Sequence, residues 1–304
     1  MTVASRARIA VLGSTNMDLV AFTRVAPARG ETVMGESFRT VAGGKGANQA
    51  VAAVRAGGEV TMIGAVGDDD FGPRLRAVLD GAGVATDHLR TVPGLSGTAH
   101  IVVDGEGHNS IVVVPGANAA VTALTDRDER AVAAADALLL HLELPQEGVL
   151  AGLLAARERA ARTVLTPAPA GPLPDELLAL VDLLVPNEHE AAALTGHDDP
   201  QAAGRALLEL VPEVVVTPGG RGCVYLSRDG DRLRVPARRV AAVDTTAAGD
   251  TFVGALTVAL GEGRPVADAL AWATVASALS VQRPGASSSM PDRAAIDRVA
   301  ASPP

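Results

Sequence analysis

Short β-rich runs alternate with helix-forming runs along most of this 304-residue chain, and this alternation restricts the possible folds more than any other feature. A glycine turn and a helix over 42–58 precede the β-rich run at 59–67. The pattern then repeats through "ADALLLHLEL", "LLAARERAARTVLTPAP", "VDLLVPNEHEAAALTG" and "ALLELVPEVVVTPGG". Strands that alternate with helices usually pair in parallel beneath helical layers. The sequence therefore predicts an α/β fold with a mostly parallel central sheet flanked by helices.

Two stretches interrupt the alternation. Residues 16–41 are rich in turn formers and short β-prone runs, and residues 98–114 read as a hairpin around Gly105, Glu106 and Gly107. Both follow strand ends in the first half of the chain, so we expect a small accessory sheet that forms a lid over the carboxyl edge of the main sheet. No Pro/Ser-rich linker divides the chain, which predicts a single domain over 1–304 with the lid segments inserted in it.

Composition limits the partners of the protein. The hydrophobic fraction is 48% but the aromatic fraction is only 2%, so Ala, Val and Leu must fill the core. The net charge of −9 argues against non-specific binding to nucleic acid or to anionic membranes, although a small anion could still bind one local site.

The location is predicted from the cysteine content and from the lengths of the apolar runs. The single cysteine, Cys223, excludes an intramolecular disulfide and fits a cytoplasmic location. The apolar run at 9–12 is far shorter than a signal-peptide core, and no uncharged run approaches the roughly 20 residues of a membrane-spanning helix.

Two glycine-rich turns are candidate binding loops. "AGGKGAN" is not a Walker A loop, because Gly46 rather than Ser or Thr follows Lys45; a flexible turn with a solvated lysine is the alternative. "VVVTPGGRGC" at 214–223 places a buried strand before further glycines, which indicates either a hairpin turn or a loop that approaches a nucleotide closely.

Other polar clusters have plainer explanations. Asp68, Asp69 and Asp70 in "VGDDDFG" suggest a metal site, but aspartates also cap helices well, and we expect a cap for the helix that follows. The six histidines show no metal-ligand spacing. Asn187 and Glu190 can share one side of a helix start, as a pair of site residues or as a capping box.

The stretch "VDTTAAGDTFVGAL" at 243–256 places Asp244 and Asp250 on either side of a small-residue turn at the start of an apolar helix. Simple N-capping would explain Asp250 but not the residues before it. A carboxylate beside free backbone N–H groups can accept a proton from a substrate hydroxyl, while the amides stabilise charge on a transferring phosphoryl group.

Six motifs in order resemble the ribokinase family of sugar and nucleoside kinases over nearly the whole chain. They are "GSTNMD" (13–18), "GGKGANQAVAA" (43–53), "LHLELP" (140–145), "PNEHEA" (186–191), "TPGGRG" (217–222) and "DTTAAGDTFVGAL" (244–256). The resemblance implies a three-layer ribokinase-like fold with a small β-sheet lid. It also implies ATP-dependent phosphorylation of D-ribose at O5.

The resemblance assigns roles to matching positions. Asp250 would be the catalytic base, and the N–H groups of Ala247, Ala248, Gly249 and Asp250 would form the anion hole. The sugar would be held by Asn16, Asp18, Gly44, Lys45, Asn48 and Glu143, with Asp250 at its reacting hydroxyl.

The resemblance further implies ATP, Mg²⁺ and an activating K⁺. Asn187 and Glu190 would organise phosphate and hydrated magnesium, and the nucleotide would be lined by Thr217, Gly219, Gly220, Gly222, Gly249 and Thr274. The cation would bind oxygen atoms, several of them backbone carbonyls, of Asp244, Thr246, Ser280, Arg283, Gly285 and Ser289. The cation loop "QRPGASSS", Thr274 and the lid residue His100 depart from the family pattern, which leaves the fine sugar preference open.

Several alternatives stay open at this point. Relatives act on deoxyribose, fructose, nucleosides or ketodeoxygluconate, and a non-catalytic sugar or nucleotide sensor could keep the same fold. A dinucleotide dehydrogenase is disfavoured, because the first strand leads into "GSTNMD" and not into a G-x-G-x-x-G turn. The exposed edge of a lid sheet favours a homodimer joined through the lids.

Overall fold

The computed structural model describes residues 6–302, in which thirteen strands and ten α-helices occur. The strands are β1 (Arg8–Leu12), β2 (Asn16–Thr23), β3 (Gly35–Gly43), β4 (Glu59–Gly67), β5 (Ala85–Val92), β6 (Gly97–Val103), β7 (Asn109–Val114), β8 (Ala137–His141), β9 (Arg162–Thr166), β10 (Leu183–Leu184), β11 (Glu213–Val216), β12 (Cys223–Ser227) and β13 (Arg232–Val235). The helices are α1 (Lys45–Arg55), α2 (Phe71–Ala82), α3 (Asp126–Ala134), α4 (Gln146–Arg157), α5 (Asp175–Leu178), α6 (Glu188–Thr195), α7 (Pro200–Leu207), α8 (Ala248–Gly261), α9 (Val266–Ser280) and α10 (Arg293–Ala300).

The main sheet has nine strands in the order β13-β12-β11-β10-β9-β8-β1-β4-β5. From β11 to β5 every neighbouring pair is parallel, and only β12 and β13 add antiparallel at one edge. The mostly parallel sheet predicted from the strand and helix alternation is therefore confirmed. The glycine run at 219–222 forms the turn of the β11–β12 hairpin, as its plainer interpretation predicted.

Helices cover both faces of this sheet, because successive residues of each buried strand point to opposite sides. In β1, Ile9 and Val11 pack into the cluster that contains α1, α8 and α9, whereas Ala10 and Leu12 pack into the cluster that contains α4 and α7. The result is a three-layer structure with one apolar core on each side of the sheet.

The second sheet contains β3-β2-β6-β7 and is built from the two segments that interrupted the alternation. Strand β2 pairs antiparallel with β3 and parallel with β6, which forms the predicted hairpin with β7. In the hairpin turn, Asp104 Oδ1 accepts hydrogen bonds from the backbone N–H groups of Glu106 and His108, both at 2.9 Å. The predicted lid sheet is thus confirmed.

Two glycines allow the first strand, the lid and α1 to meet closely. A Cβ atom on Gly46 would lie 2.6 Å from Gly13 Cα, and one on Gly43 would lie 2.2 Å from Asp18 Oδ2. Any larger residue at either position would push α1 away from the end of β1 or displace the Asp18 carboxylate.

The aspartate cluster at 68–70 stabilises a turn. Asp69 Oδ1 accepts from the N–H of Gly72 in the first turn of α2 at 3.0 Å and from Ser96 Oγ at 2.6 Å, while Asp70, adjacent to the helix, makes no side-chain cap. The predicted cap therefore exists, but Asp69 supplies it. Across residues 6–302 no group of three or more His, Cys, Asp or Glu side chains could hold a metal ion.

None of the helices in the described part of the chain is both long enough and apolar enough to cross a membrane.

Candidate active site

Helix α8 begins at a strained turn. Its N-cap residue, Ala247, has φ of +56°, in the left-handed region, and no side chain caps the helix. The first N–H groups of a helix have no intrahelical acceptor, so this helix start can bind an anion. The N–H of Ala248 already donates to the carbonyl of Thr245 at 3.2 Å, and an anion would compete with that turn bond.

Asp250 lies in the first turn of α8 but does not cap it. Its carboxylate instead accepts from side chains of α1: Gln49 Nε2 lies 3.2 Å from Oδ1, and Asn48 Nδ2 lies 3.5 Å from Oδ2. Burial raises the pKa of Asp250, and this effect outweighs the opposing effects of the Lys45 ammonium and the amide of Gln49. The plain capping explanation of Asp250 is therefore wrong, and the carboxyl group is a buried base of raised proton affinity.

Glu143 follows β8 and is held by three donors that converge on one oxygen. Oε2 accepts from Ser14 Oγ at 2.6 Å, from Asn16 Nδ2 at 3.2 Å and from the backbone N–H of Lys45 at 3.2 Å. These bonds fix the carboxylate where the ends of β1 and β8 meet α1. All three go to Oε2, and none of them goes to Oε1.

The His141 ring contacts the backbone of both Ser14 and Glu143. The ring is fully buried, and its Nε2 and Nδ1 lie 3.0 Å from the backbone nitrogens of Ser14 and Glu143, with Nε2 also 3.4 Å from Ser14 Oγ. Burial lowers the pKa of His141 to about 4, and the carboxylate of Glu143 does not offset it. A neutral imidazole accepts at one nitrogen, and protonation would remove that acceptor from a ring that faces two backbone N–H groups, so the neutral ring is the stable form.

The amide of Asn16 is fixed on both sides. Its Nδ2 donates to Glu143, and its Oδ1 accepts from Asn118 Nδ2 at 2.8 Å. Asn118 also accepts from the N–H of Thr15 at 3.0 Å, so it ties the start of the lid strand β2 to the segment that follows the lid.

The predicted sugar residues share one electrostatic environment. Burial raises the pKa of Asp18 to about 7, with further contributions from the carboxylates of Glu143 and Asp250. Burial lowers the pKa of Lys45, but the carboxylates of Asp250, Glu143 and Glu190 together outweigh it and hold the pKa above its usual value. The structure thus places three carboxylates and one ammonium close enough for their charges to interact.

Asn187 and Glu190 form a capping box at the start of α6. The N–H of Asn187 donates to Glu190 Oε2, and Asn187 Oδ1 accepts from the N–H of Glu190, both at 2.8 Å. The capping interpretation is therefore confirmed. Glu190 also interacts electrostatically with Lys45 and Asp250, and burial raises its pKa. This helix start consequently lies near Lys45 and Asp250, and Asn187 forms a β-bridge with Thr217.

The glycine loop after β11 is open on one side. A Cβ atom on Gly219 or Gly220 would meet nothing within 4 Å, whereas one on Gly222 would lie 2.0 Å from the carbonyl oxygen of Val235. Behind the loop, the hydroxyl of Thr274 donates to its own helix carbonyl at Leu270 and lies 3.9 Å from the buried Cys223 Sγ. The predicted nucleotide residues Thr217, Gly219, Gly220 and Gly222 of the loop and Thr274 of α9 therefore belong to two neighbouring segments.

Two loops carry the predicted cation residues. Asp244 joins them, because its Oδ1 accepts from the N–H of Thr246 at 2.9 Å and its Oδ2 from the N–H of Gly285 at 2.8 Å. Burial alone would raise the pKa of Asp244, but these hydrogen bonds outweigh it and lower the pKa below its usual value.

The other predicted cation ligands have occupied or exposed side chains. The hydroxyls of Ser280 and Ser289 donate to nearby backbone carbonyls, and the side chain of Arg283 is exposed. These residues can therefore offer a cation mainly their backbone oxygens.

Residues that the sequence analysis did not single out complete the site. Ser14, Gln49, Asn118 and His141 hold the side chains of Glu143, Asp250 and Asn16 in place. Ser14, Gln49 and His141 stand inside quoted motifs, so their position in the motif was the available signal. No local pattern marked Asn118.

Comparison with known proteins agrees with this geometry. A family model described as pfkB family carbohydrate kinase matches residues 6–293. A ribokinase of Bacillus subtilis is 43% identical over 296 residues, covering 96% of this chain and 98% of that protein. A ribokinase of Schizosaccharomyces pombe is 41% identical over 306 residues, covering 95% and 96%.

The fold of the chain also matches that of a solved structure. The structure of the ribokinase of Arabidopsis thaliana complexed with ribose and ATP superposes with a TM-score of 0.92 and 31% identity, covering 98% of this chain and 100% of that chain. The three-layer ribokinase-like fold with its lid is therefore confirmed. The chain belongs to the pfkB family of carbohydrate kinases.

Proposed function

We propose that this protein is a ribokinase, which transfers the γ-phosphoryl group of ATP to O5 of D-ribose and releases ADP. The full-length likeness to ribokinases supports the proposal, as does the likeness to a ribokinase complexed with ribose and ATP. The observation that carries it is the buried carboxylate of Asp250, which lies in the first turn of an uncapped helix and accepts a hydrogen bond from Gln49 of α1.

Asp250 acts as the base in the proposed reaction. It takes the proton of the O5 hydroxyl, O5 forms a bond to the γ-phosphorus, and the bond from that phosphorus to the bridging oxygen breaks as ADP leaves. The N–H groups of Ala247, Ala248, Gly249 and Asp250 donate to the oxygens of the transferring group. The raised pKa of Asp250 suits this role, because the group must hold the proton that it accepts.

The sugar pocket determines the substrate class. The proposed sugar pocket consists of Asn16, Asp18, Gly44, Lys45, Asn48 and Glu143. Asn16 and Asn48 are buried, Asp18, Lys45 and Glu143 are half-buried, and their donors and acceptors would meet the sugar hydroxyls. A deoxy sugar would leave some of these groups unpaired in a buried site, which is costly. The pocket therefore favours a fully hydroxylated pentose.

The nucleotide is assigned to Asn187, Glu190, Thr217 and the glycine loop at 219–222, with Gly249 and Thr274. Magnesium usually keeps several waters and binds through few protein carboxylates, which fits a helix start that offers only Glu190. Magnesium held near Glu190 would neutralise negative charge on the phosphates of ATP.

Potassium fits the two loops that Asp244 joins. Asp244, Thr246, Ser280, Arg283, Gly285 and Ser289 offer oxygen donors, which suit a hard cation. An ion held there would stabilise the order of the turn that precedes α8.

The assembly we propose is a homodimer of single-domain chains (1–304) joined through the lid sheets. Ile111, Val112, Val113 and Val114 of β7 are 51, 64, 41 and 46% exposed, and β7 is an edge strand whose backbone groups a partner could pair. The lone cysteine favours a cytoplasmic location.

A panel of acceptors with ATP tests the substrate. We expect the highest kcat/KM for D-ribose, with 2-deoxyribose, fructose and adenosine lower by at least about tenfold. A nucleoside or a hexose with a higher kcat/KM than ribose would overturn the assignment. Ribose binding by calorimetry without any turnover would instead support the non-catalytic sensor.

A further inference from the structure

Gln49 is the most deeply buried polar side chain that contacts the proposed base. It is 0% exposed, and its Nε2 donates to Asp250 Oδ1 at 3.2 Å and to Thr166 Oγ1 at 3.5 Å. It lies one helical turn after Lys45 in α1, so both side chains lie on one face of that helix.

The other half of this amide has no partner. Gln49 Oε1 is buried and accepts no hydrogen bond from any described residue. An unpaired buried carbonyl opposes folding, and a methionine of similar length would fill the same space without that cost. Fold stability therefore does not explain a glutamine at this position, whereas its bond to Asp250 does.

The bond also sets the orientation of the Asp250 carboxylate. An ionised carboxylate only accepts hydrogen bonds, so the amide must present Nε2, since the reverse orientation would place Oε1 against Oδ1. Asn48 Nδ2 is farther from the other oxygen, at 3.5 Å from Oδ2. Oδ2 is therefore the less firmly held oxygen and the one available to a substrate.

We propose that Gln49 is a positioning residue, whose amide holds Oδ1 of Asp250 and leaves Oδ2 to take the proton from the sugar hydroxyl. This inference rests on the proposed function, because it requires Asp250 to be the base. Gln49 itself touches neither the sugar nor ATP in this arrangement.

The bond has a second consequence, for proton affinity. The charged groups that face Asp250 are Lys45 of α1, Glu143 after β8, Asp18 of the lid and Glu190 of α6. Burial raises the pKa of Asp250, and donation from Gln49 lowers it. Loss of the donor would raise this pKa further and move the acidic limb of the kcat profile to higher pH.

Gln49→Met tests the proposal in the full-length enzyme. We expect kcat with ribose and ATP to fall about 10- to 100-fold. The apparent pKa of the acidic limb of the kcat profile should rise by about one unit. The ribose KM should stay within about twofold of the wild-type value. The Tm should equal or exceed that of the wild type, because the unpaired carbonyl is gone. Gln201→Met, at an exposed position of α7, is the matched control and should leave kcat, KM and the pH profile unchanged.

Gln49→Glu provides a second measurement that does not depend on the folding of the first variant. A carboxyl group at this position would share a proton with Asp250, so the acidic limb should move to higher pH than in Gln49→Met. Wild-type kcat and pH profile in both variants would overturn the inference, as would a raised KM with unchanged kcat. If wild-type enzyme fails to phosphorylate ribose, or if Asp250→Asn keeps full turnover, the proposed function fails instead.

Discussion

Asp250 and Asp244 flank the same turn yet have opposite environments. Asp250 is buried, contacts side-chain amides of α1, and has a pKa raised by burial. Asp244 is partly exposed, accepts from the backbone N–H groups of Thr246 and Gly285, and has a lowered pKa because these hydrogen bonds outweigh burial.

The two environments suit different roles, a base at Asp250 and a structural anion at Asp244. A carboxylate that must take up a proton needs the charged form to be disfavoured, and burial achieves this. A carboxylate that must join two loops needs the charged form to be favoured, and backbone donors achieve that. The local sequence gives the same residue type in both places, so the surroundings decide the role.

The largest expected effect is that of Asp250→Asn. Asparagine keeps the shape of the side chain but cannot accept the proton, so kcat should fall about 10²- to 10⁴-fold. Ribose binding measured by calorimetry should remain within a few-fold of wild type. Substantial residual turnover would remove Asp250 from the role of base and end its contrast with Asp244.

Asp18 is half-buried and its charge interacts with that of Asp250, and we expect it to make ribose binding dependent on pH. With a pKa of about 7 in the sugar-free protein, Asp18 is largely protonated at pH 6. If ribose binds the ionised form, its apparent Kd should be about tenfold weaker at pH 6 than at pH 8. Calorimetric titrations across this range measure the effect, and Asp18→Asn should abolish the pH dependence.

The same shift affects stability in a defined direction. Between the usual aspartate value of 3.8 and about 7, folded Asp18 keeps a proton that the unfolded chain releases. Its contribution to the free energy of unfolding is therefore present at low pH and is lost as pH rises through this window. Asp244, with its lowered pKa, contributes in the opposite sense, and its contribution is lost only as pH falls below the usual aspartate range. Denaturant titrations that show no difference in pH dependence between wild type and Asp18→Asn would contradict the sign for Asp18.

Asp244→Ala should have an intermediate effect. It removes two hydrogen bonds that join the loops, so we expect kcat to fall by about tenfold and activation by K⁺ to weaken. The ribose KM should stay unchanged, because the hydrogen bonds of Asp244 go to Thr246 and Gly285 and not to a proposed sugar residue. Steady-state kinetics over a range of K⁺ concentrations measure this. A loss as large as that of Asp250→Asn would show that the two acids are not separable in role.

The smallest effect is expected at the turn itself. Ala247 has a left-handed φ of +56°, which costs about 1 kcal/mol for a residue with a Cβ. Ala247→Gly removes that strain but adds unfolded-state entropy, so the net gain should be at most about 1 kcal/mol. Thermal unfolding should show an equal or slightly higher Tm. Ala248→Gly, at a helical position, is the control and should be destabilising; equal losses in both variants would contradict the strain argument.

The sequence predicted the fold class because its signals are local. The alternation of strand and helix runs predicts a parallel sheet, and the two segments that interrupt it, 16–41 and 98–114, predict the lid. Both predictions depend on residue periodicity and turn formers within short windows. The motifs at 13–18, 43–53, 140–145 and 244–256 also predicted which side chains would meet. Asn16 and Lys45 hydrogen-bond to Glu143, Asn48 hydrogen-bonds to Asp250, and the charges of Lys45 and Glu143 act on Asp250.

The residues that hold those side chains could not be found in this way. Ser14 and His141 meet across 127 positions, Gln49 and Asp250 across 201, and Asn16 and Asn118 across 102. A polar residue in a motif carries no sign of which distant atom it will contact.

The sequence by itself determined the layers, the lid and the chemical groups available to the site. Only the tertiary structure decided that Asp250 is a buried carboxylate of raised pKa and that Asp244 is an anion that joins two loops. The physical reason is that proton affinity depends on desolvation and on hydrogen-bond donors, and both are supplied by segments far away in the chain.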